Sequence, residues 1–244
     1  MLKWFEQTLY EMEANGEIAI VLGHHPPGCN ACLDQWSKRY QAISDRFQNV
    51  IRFSLFGHVH KEMHNVIKSQ SGKSIGINIW TGATTPYSDL PAYPNFRRII
   101  VDAETMLPIK LESWAIDIEQ ENPEFYLHHE FTEYYGMKDL SPESFDWLSM
   151  QFLENEQMAV KYRQTMNMMS PYNVPNTCDE KCRLEVYCQT QHSVYWDQKA
   201  CEGMVEKQLR TDPGNWLAET IMDPWYTHSR FPNKGPKTPT FNEI

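Results

Sequence analysis

An α/β fold that gives way to a helical, cysteine-bearing C-terminal part is what the sequence predicts, and three observations carry it. Residues 18–22 and Ile51–Phe56 are short apolar runs, and each ends at a glycine-histidine turn: Gly23-His24-His25-Pro26-Pro27-Gly28 and Gly57-His58-Val59-His60. Between them an apolar stripe recurs at helical spacing. Beyond Gln120 the strand texture gives way to helical patterning. Strands alternating with helices mark an α/β sheet, and a later run of helices marks a separate layer or subdomain.

The elements follow in order. Leu2, Phe5, Leu9 and Met12 share one face of a helix that Asn15-Gly16 ends. Residues 18–22 form a continuous aliphatic run, the pattern of a buried strand. The HHPPG that follows can continue neither strand nor helix. Trp36, Tyr40, Ile43, Phe47 and Val50 step by four and three, one apolar face of an amphipathic helix over 33–50. Ile51–Phe56 is the second buried strand, and 73–80 a third that ends at Thr81-Gly82-Ala83-Thr84-Thr85-Pro86. After the turn-rich YSDLPAYPNF, residues 97–101 and 111–118 read as a hairpin. Helices are expected from 124 to about 207, with Ser141-Pro142 as cap and first turn. The closing stretch holds five prolines from Pro213 to Pro239 and reads as an extended tail. The predicted organisation is therefore 1–119, 120–207 and 208–244.

Composition narrows the function. A chain of 244 residues can bury one sizeable core, with or without a small satellite domain. Lys and Arg total 22 against 32 Asp and Glu, a net charge of −10, which argues against nucleic acid or an anionic lipid surface as partner. No run of 18 apolar residues is present, so no transmembrane segment is expected, and the N-terminus has no signal-peptide h-region. Cys178, Cys182, Cys188 and Cys201 fall within 24 residues. Their spacing is not the paired CxxC of a zinc ribbon and favours disulfides over metal, with three connectivities open. Disulfides without a leader imply that residue 1 is not the start of the natural protein.

The histidines carry the chemistry. In open α/β sheets, ligands bind beyond the carboxyl ends of the strands, where both histidine turns lie. Imidazole suits zinc or iron, and glycine lets the backbone approach an ion closely. His58 and His60, two residues apart, suit a pair of metals about 3.5–4 Å apart. His64, His128, His129, His192 and His228 carry no motif and read as structural or exposed. Cys29 and Cys32 have two possible fates: pairing, or a structural zinc with His24 and His25, which requires the Pro-Pro turn to fold back on itself.

GHHPPG followed by FGHVH resembles the last two metal-binding motifs of calcineurin-like metallophosphoesterases, and specifically of acid sphingomyelinase-like phosphodiesterases. Three further segments agree in order: TGATTPYSDLPAYPNFRRIIVDAETMLP with the loop and hairpin after the last ligand, FTEYYGMKDLSPESFDWL with the start of the helical subdomain, and the four late cysteines. The resemblance implies the C-terminal half of a metallophosphoesterase β-sandwich flanked by helices, then a small disulfide-bonded helical subdomain. It implies two zinc ions, one held by His24 and His58 and the other by His60, acting on a phosphodiester. It implies Tyr87 as a cleft residue, and the pairs Cys178–Cys182 and Cys188–Cys201. His25 stands where that family commonly has an aliphatic residue, and reads as an ordinary turn residue.

The family's first half supplies Asp-x-His, a bridging Asp and an Asn-His, none of which is found here. Three imidazoles cannot hold two zinc ions, so the expectation is a phosphodiester hydrolase, of sphingomyelin or a soluble phosphodiester, inactive alone. The implied partner is the missing N-terminal half or a complementing chain, and the implied location is secreted or lysosomal. The alternative is a non-catalytic half-domain that serves as a binding or scaffold subunit. A sheet lacking its other half is further expected to leave an open edge and an uncovered apolar face.

Overall fold

The computed structural model describes residues 1–85, 92–168, 170 and 175–211, with the side chains of 204–211 left aside. It is a mixed α/β structure with two sheets and a helical C-terminal region. Helix α1 (Leu2–Asn15) leads into β1 (Ala19–Gly23), and α2 (Asp34–Arg46) into β2 (Ile51–Phe56). Strands β3 (Met63–Lys68) and β4 (Ser74–Trp80) complete a sheet of order β1-β2-β4-β3. The first three strands in that order are parallel, and β3 pairs antiparallel with β4. The carboxyl ends of β1 and β2 therefore lie side by side, with Gly23 opposite Phe56.

One face of this sheet is sealed by α1 and α2. Leu9, Ala19, Phe47, Val50 and Ile51 form a buried cluster there. The other face packs Phe53, Val66, Ile77 and Ile79 against Leu111 of the second sheet and against the helices. That second sheet is an antiparallel meander of β5 (Asn95–Val101), β6 (Pro108–Ile116) and β7 (Phe125–Glu130). Arg97 reaches from β5 to Glu62 at 3.0 Å, an ion pair whose side chains are 2% and 1% exposed.

Two sequence readings need correction, and one strand lies where the sequence analysis assigns no element. The strand β3 was not legible, because its register mate β4 supplies the pairing that MHNVIK does not announce by alternation. Residues Phe125–Glu130, expected to be helical, are a strand, since they extend the β5–β6 hairpin by pairing with β6. The run at 18–22 is a strand but not a buried one. Ile20 is 38% and Leu22 75% exposed, because β1 is the edge of the sheet and, among the described residues, no second layer covers them. Among the described residues, the expected open edge and uncovered apolar patch are thus present.

The helical part comprises α3 (Phe131–Tyr135), α4 (Pro142–Glu154), α5 (Glu156–Thr165), α6 (Glu180–Gln191) and α7 (Tyr195–Thr211). Ser141 caps α4 by accepting from the Ser144 backbone N–H, with Pro142 in the first turn, as expected. Cys178–Cys182 and Cys188–Cys201 are disulfides, the second tying α6 to α7. Helix α7 runs four residues past 207, to Thr211; the rest of the predicted tail, 212–244, lies outside the described residues. Among the described residues, no helix is long and apolar enough to cross a membrane.

Burial also makes this fold acid-sensitive. Burial pushes the imidazole of His64 down to about 3, His129 to about 3 and His192 to about 4. Arg97 beside His64 and His129 adds to the effect. Each is a base with a folded pKa below its unfolded value, so the unfolded chain binds more protons between about pH 6.5 and 4. Stability is complete above pH 6.5 and falls on acidification by about 1.4 kcal/mol per pH unit per imidazole. The melting temperature should fall by about 10 °C or more between pH 6.5 and 4.5, less so in His64→Gln. A flat profile over that window would contradict buried neutral imidazoles.

Candidate metal centre

The site is built where β1 and β2 end. Gly23 closes β1, and a Cβ there would lie 2.5 Å from Phe56 Cε1, so only glycine permits this approach of the two strand ends. The Gly57 N–H donates to the His24 carbonyl at 3.0 Å, joining the two histidine turns through their backbones. Thr81, at the end of β4, donates its N–H to the Phe56 carbonyl at 2.8 Å and holds the same corner from the far side.

The first turn is anchored from beneath. Pro26, Pro27, Gly28 and Cys29 are buried while His24 and His25 remain exposed. Asn65 donates to the Pro27 carbonyl at 3.1 Å and accepts from Asn78 Nδ2 at 2.7 Å. Asn78 in turn accepts from the Tyr40 hydroxyl at 3.3 Å, and that hydroxyl shares a 2.7 Å hydrogen bond with Ser54. This chain of buried polar groups spans β2, β4 and β3 and fixes the level at which the turn leaves the sheet. Gly28 has φ +88°. A side chain there would be strained and would also meet Gln198 and Asn65.

The second turn is strained. His58 and His60 have φ of +69° and +55°, left-handed values that non-glycine residues seldom adopt. The Val59 N–H donates to the Gly57 carbonyl at 2.8 Å, a tight turn between them. Such backbone costs about 1–2 kcal/mol per residue and clusters at functional sites, where surrounding structure enforces it.

The result is convergence of three rings. His58 Nδ1 lies 3.3 Å from His24 Nε2. The His25 and His58 ring centroids are 3.6 Å apart. One nitrogen from each of His24, His25 and His58 lies within 4.8 Å of the others. Burial and the neighbouring His25, His24 and His60 push the His58 imidazole below its usual pKa, favouring the neutral form that binds metals. Among the described residues, this group contains no carboxylate.

Of the predicted ligands, His24 and His58 come together; His60 stands outside the three-ring group but close enough to act on His58 electrostatically. His25, expected to be an ordinary turn residue, is an exposed turn residue whose ring also falls within the group. Its proximity depends on how two strand ends and two turns meet, which no short motif encodes. Cys29 is buried and Cys32 half-buried; both are free thiols outside the group, so the alternative four-ligand grouping is not formed. His64 is core, packed against Phe145 and Tyr162. Tyr87 and His228 lie outside the described residues.

Comparison with known proteins places these features. Residues 104–209 match the family model for the acid sphingomyelin phosphodiesterase C-terminal region. The chain is 27% identical over 214 residues to sphingomyelin phosphodiesterase B of Dictyostelium discoideum, covering 82% of this chain and 33% of that protein. It is 30% identical over 203 residues to sphingomyelin phosphodiesterase 1 of Caenorhabditis elegans, covering 77% and 34%. With the mouse acid sphingomyelinase-like phosphodiesterase 3b the identity is 24% over 239 residues, covering 90% and 51%. The chain thus spans between a third and a half of the length of these relatives.

Proposed function

On the premise that this chain is a relative of the acid sphingomyelinase-like phosphodiesterases, matching their C-terminal region, we propose that it supplies one side of a two-metal phosphodiester hydrolase. The observation that carries the reading is the 3.3 Å approach of His58 Nδ1 to His24 Nε2 from two different strand ends. Two nitrogens on one tetrahedral zinc at 2.0–2.1 Å lie about 3.3 Å apart, so the donor set fits an ion with little movement. His24 and His58 would hold one ion, and His60 the other. When bound, such a pair polarises a phosphodiester and stabilises an in-line displacement.

The chain's own residues have defined tasks in this reading. The Asn65–Asn78–Tyr40 chain sets the height of the first turn above the sheet, and Gly57 ties that turn to the second. The strained His58-Val59-His60 turn aims two imidazoles without the freedom to wander. Three imidazoles still leave two ions short of ligands and without a bridging carboxylate. We assign those groups to a segment outside these 244 residues, upstream in the same polypeptide or on a complementing chain, and the chain is inactive alone. Such a segment would extend the sheet by pairing along the edge strand β1 and would cover the exposed Ile20 and Leu22 by packing on them. The two disulfides fit an oxidising compartment, secreted or lysosomal. The substrate is a phosphodiester of the sphingomyelin class or a soluble analogue. Converging, strained histidines argue against a purely scaffolding role, which does not require them.

Chelation tests this. The native protein, isolated from its source with any partner retained, should hydrolyse bis(p-nitrophenyl) phosphate. It should lose that turnover to a strong chelator and regain it with zinc. Turnover that persists unchanged after metal removal would overturn the reading.

A further inference from the structure

We propose that His25 is a metal ligand, so that His24, His25 and His58 together form a three-histidine site for one zinc-type ion, complete within this chain. The inference deepens the proposed function, since it shares His24 and His58, but it assigns a residue that the paired motifs leave out. Its ground is geometric. The His25 and His24 ring centroids are 5.1 Å apart, the separation of about 5 Å that two imidazoles sharing one tetrahedral ion require, while the His25 ring lies closer against His58, at 3.6 Å. All three candidate nitrogens fall within 4.8 Å of one another. A tetrahedral ion with zinc–nitrogen bonds of 2.0–2.1 Å requires about 3.3 Å between nitrogens. The His24–His58 pair is already at that spacing. His25 brings its nitrogen to the ion by rotating its exposed ring out of the contact with His58, while the buried Pro26-Pro27-Gly28 segment holds the chain that follows.

Three neutral imidazoles and one open position make a complete ligand set for a single zinc-type ion. Two imidazoles alone do not, so the chain's ability to hold an ion without a partner rests on His25. His60 remains outside this set, available to a second ion.

Cobalt and zinc titrations of the 244-residue chain test the assignment without any activity. Cobalt should give the visible bands of a tetrahedral, nitrogen-rich site at one ion per chain, and zinc should displace it. His25→Leu should weaken zinc affinity at least about tenfold by isothermal titration, and His25→Cys, which restores a ligand atom, should recover most of the loss. Unchanged affinity in His25→Leu, with binding abolished in His58→Leu, would overturn the role of His25 and leave the proposed function intact. Unchanged affinity in both variants would overturn both. Circular dichroism of each variant separates lost binding from lost folding.

Discussion

His58→Ala in the assembled protein should reduce phosphodiester turnover by about a thousandfold or more while leaving the fold intact. His58 is half-buried at a turn rather than in the core. Replacing it also removes a side chain from a left-handed backbone position that alanine tolerates no better, so little stability should change. Its ring approaches those of both His24 and His25, and it supplies the nitrogen 3.3 Å from His24 Nε2. Without it, neither the two-histidine nor the three-histidine arrangement holds an ion. A metal supplies several kcal/mol of transition-state stabilisation, and about 4 kcal/mol corresponds to about a thousandfold in rate. Turnover and zinc content measured on the same sample check the prediction. A variant with normal turnover would remove His58 from the site.

Arg97→Met should cost about 3–5 kcal/mol of stability, the size expected when a buried ion pair loses one partner. Arg97 and Glu62 are almost fully enclosed and join the second sheet to the loop before β3. The Ser113 hydroxyl donates to the same Glu62 oxygen at 2.5 Å, and the Arg97 guanidinium lies 5.5 Å from the Phe131 ring centroid. Burial already pushes the Glu62 carboxyl above its usual pKa, against the pull of Arg97 and Ser113. With Arg97 gone, the folded state would protonate Glu62 at still higher pH. A carboxyl whose folded pKa is raised destabilises the fold as pH climbs through that value, so the deficit should be larger at pH 8 than at pH 5. Adding Glu62→Leu should recover much of the loss, because no charge is then left unpaired. Urea unfolding of the single and double variants at both pH values measures this. A loss under about 1 kcal/mol in Arg97→Met would show that the pair carries no structural load.

Much of the fold was legible because its signals are local. The stripe Trp36, Tyr40, Ile43, Phe47 belongs to α2, and IRFSLF is β2 as read. Ser141-Pro142 caps α4 as expected. The readings that failed depend on neighbours. Phe125–Glu130 is a strand because β6 offers it an edge, and Ile20 and Leu22 of β1 are exposed because, among the described residues, no layer covers them. The site divides in the same way. Glycine followed by histidine after a strand marks His24 and His58 from sequence. His25 enters only when the Pro-Pro turn and the left-handed His58 are seen together. A clue was available in the doubled histidine itself, which places two imidazoles at one strand end.

These residues are proposed as one side of a site completed elsewhere. The intact mass of the native species carrying this chain, with and without reductant, tests that most directly. The expected result is a mass well above 28.7 kDa, or a second chain that co-purifies or is released by reductant. A species of 28.7 kDa with no partner in either condition would contradict it.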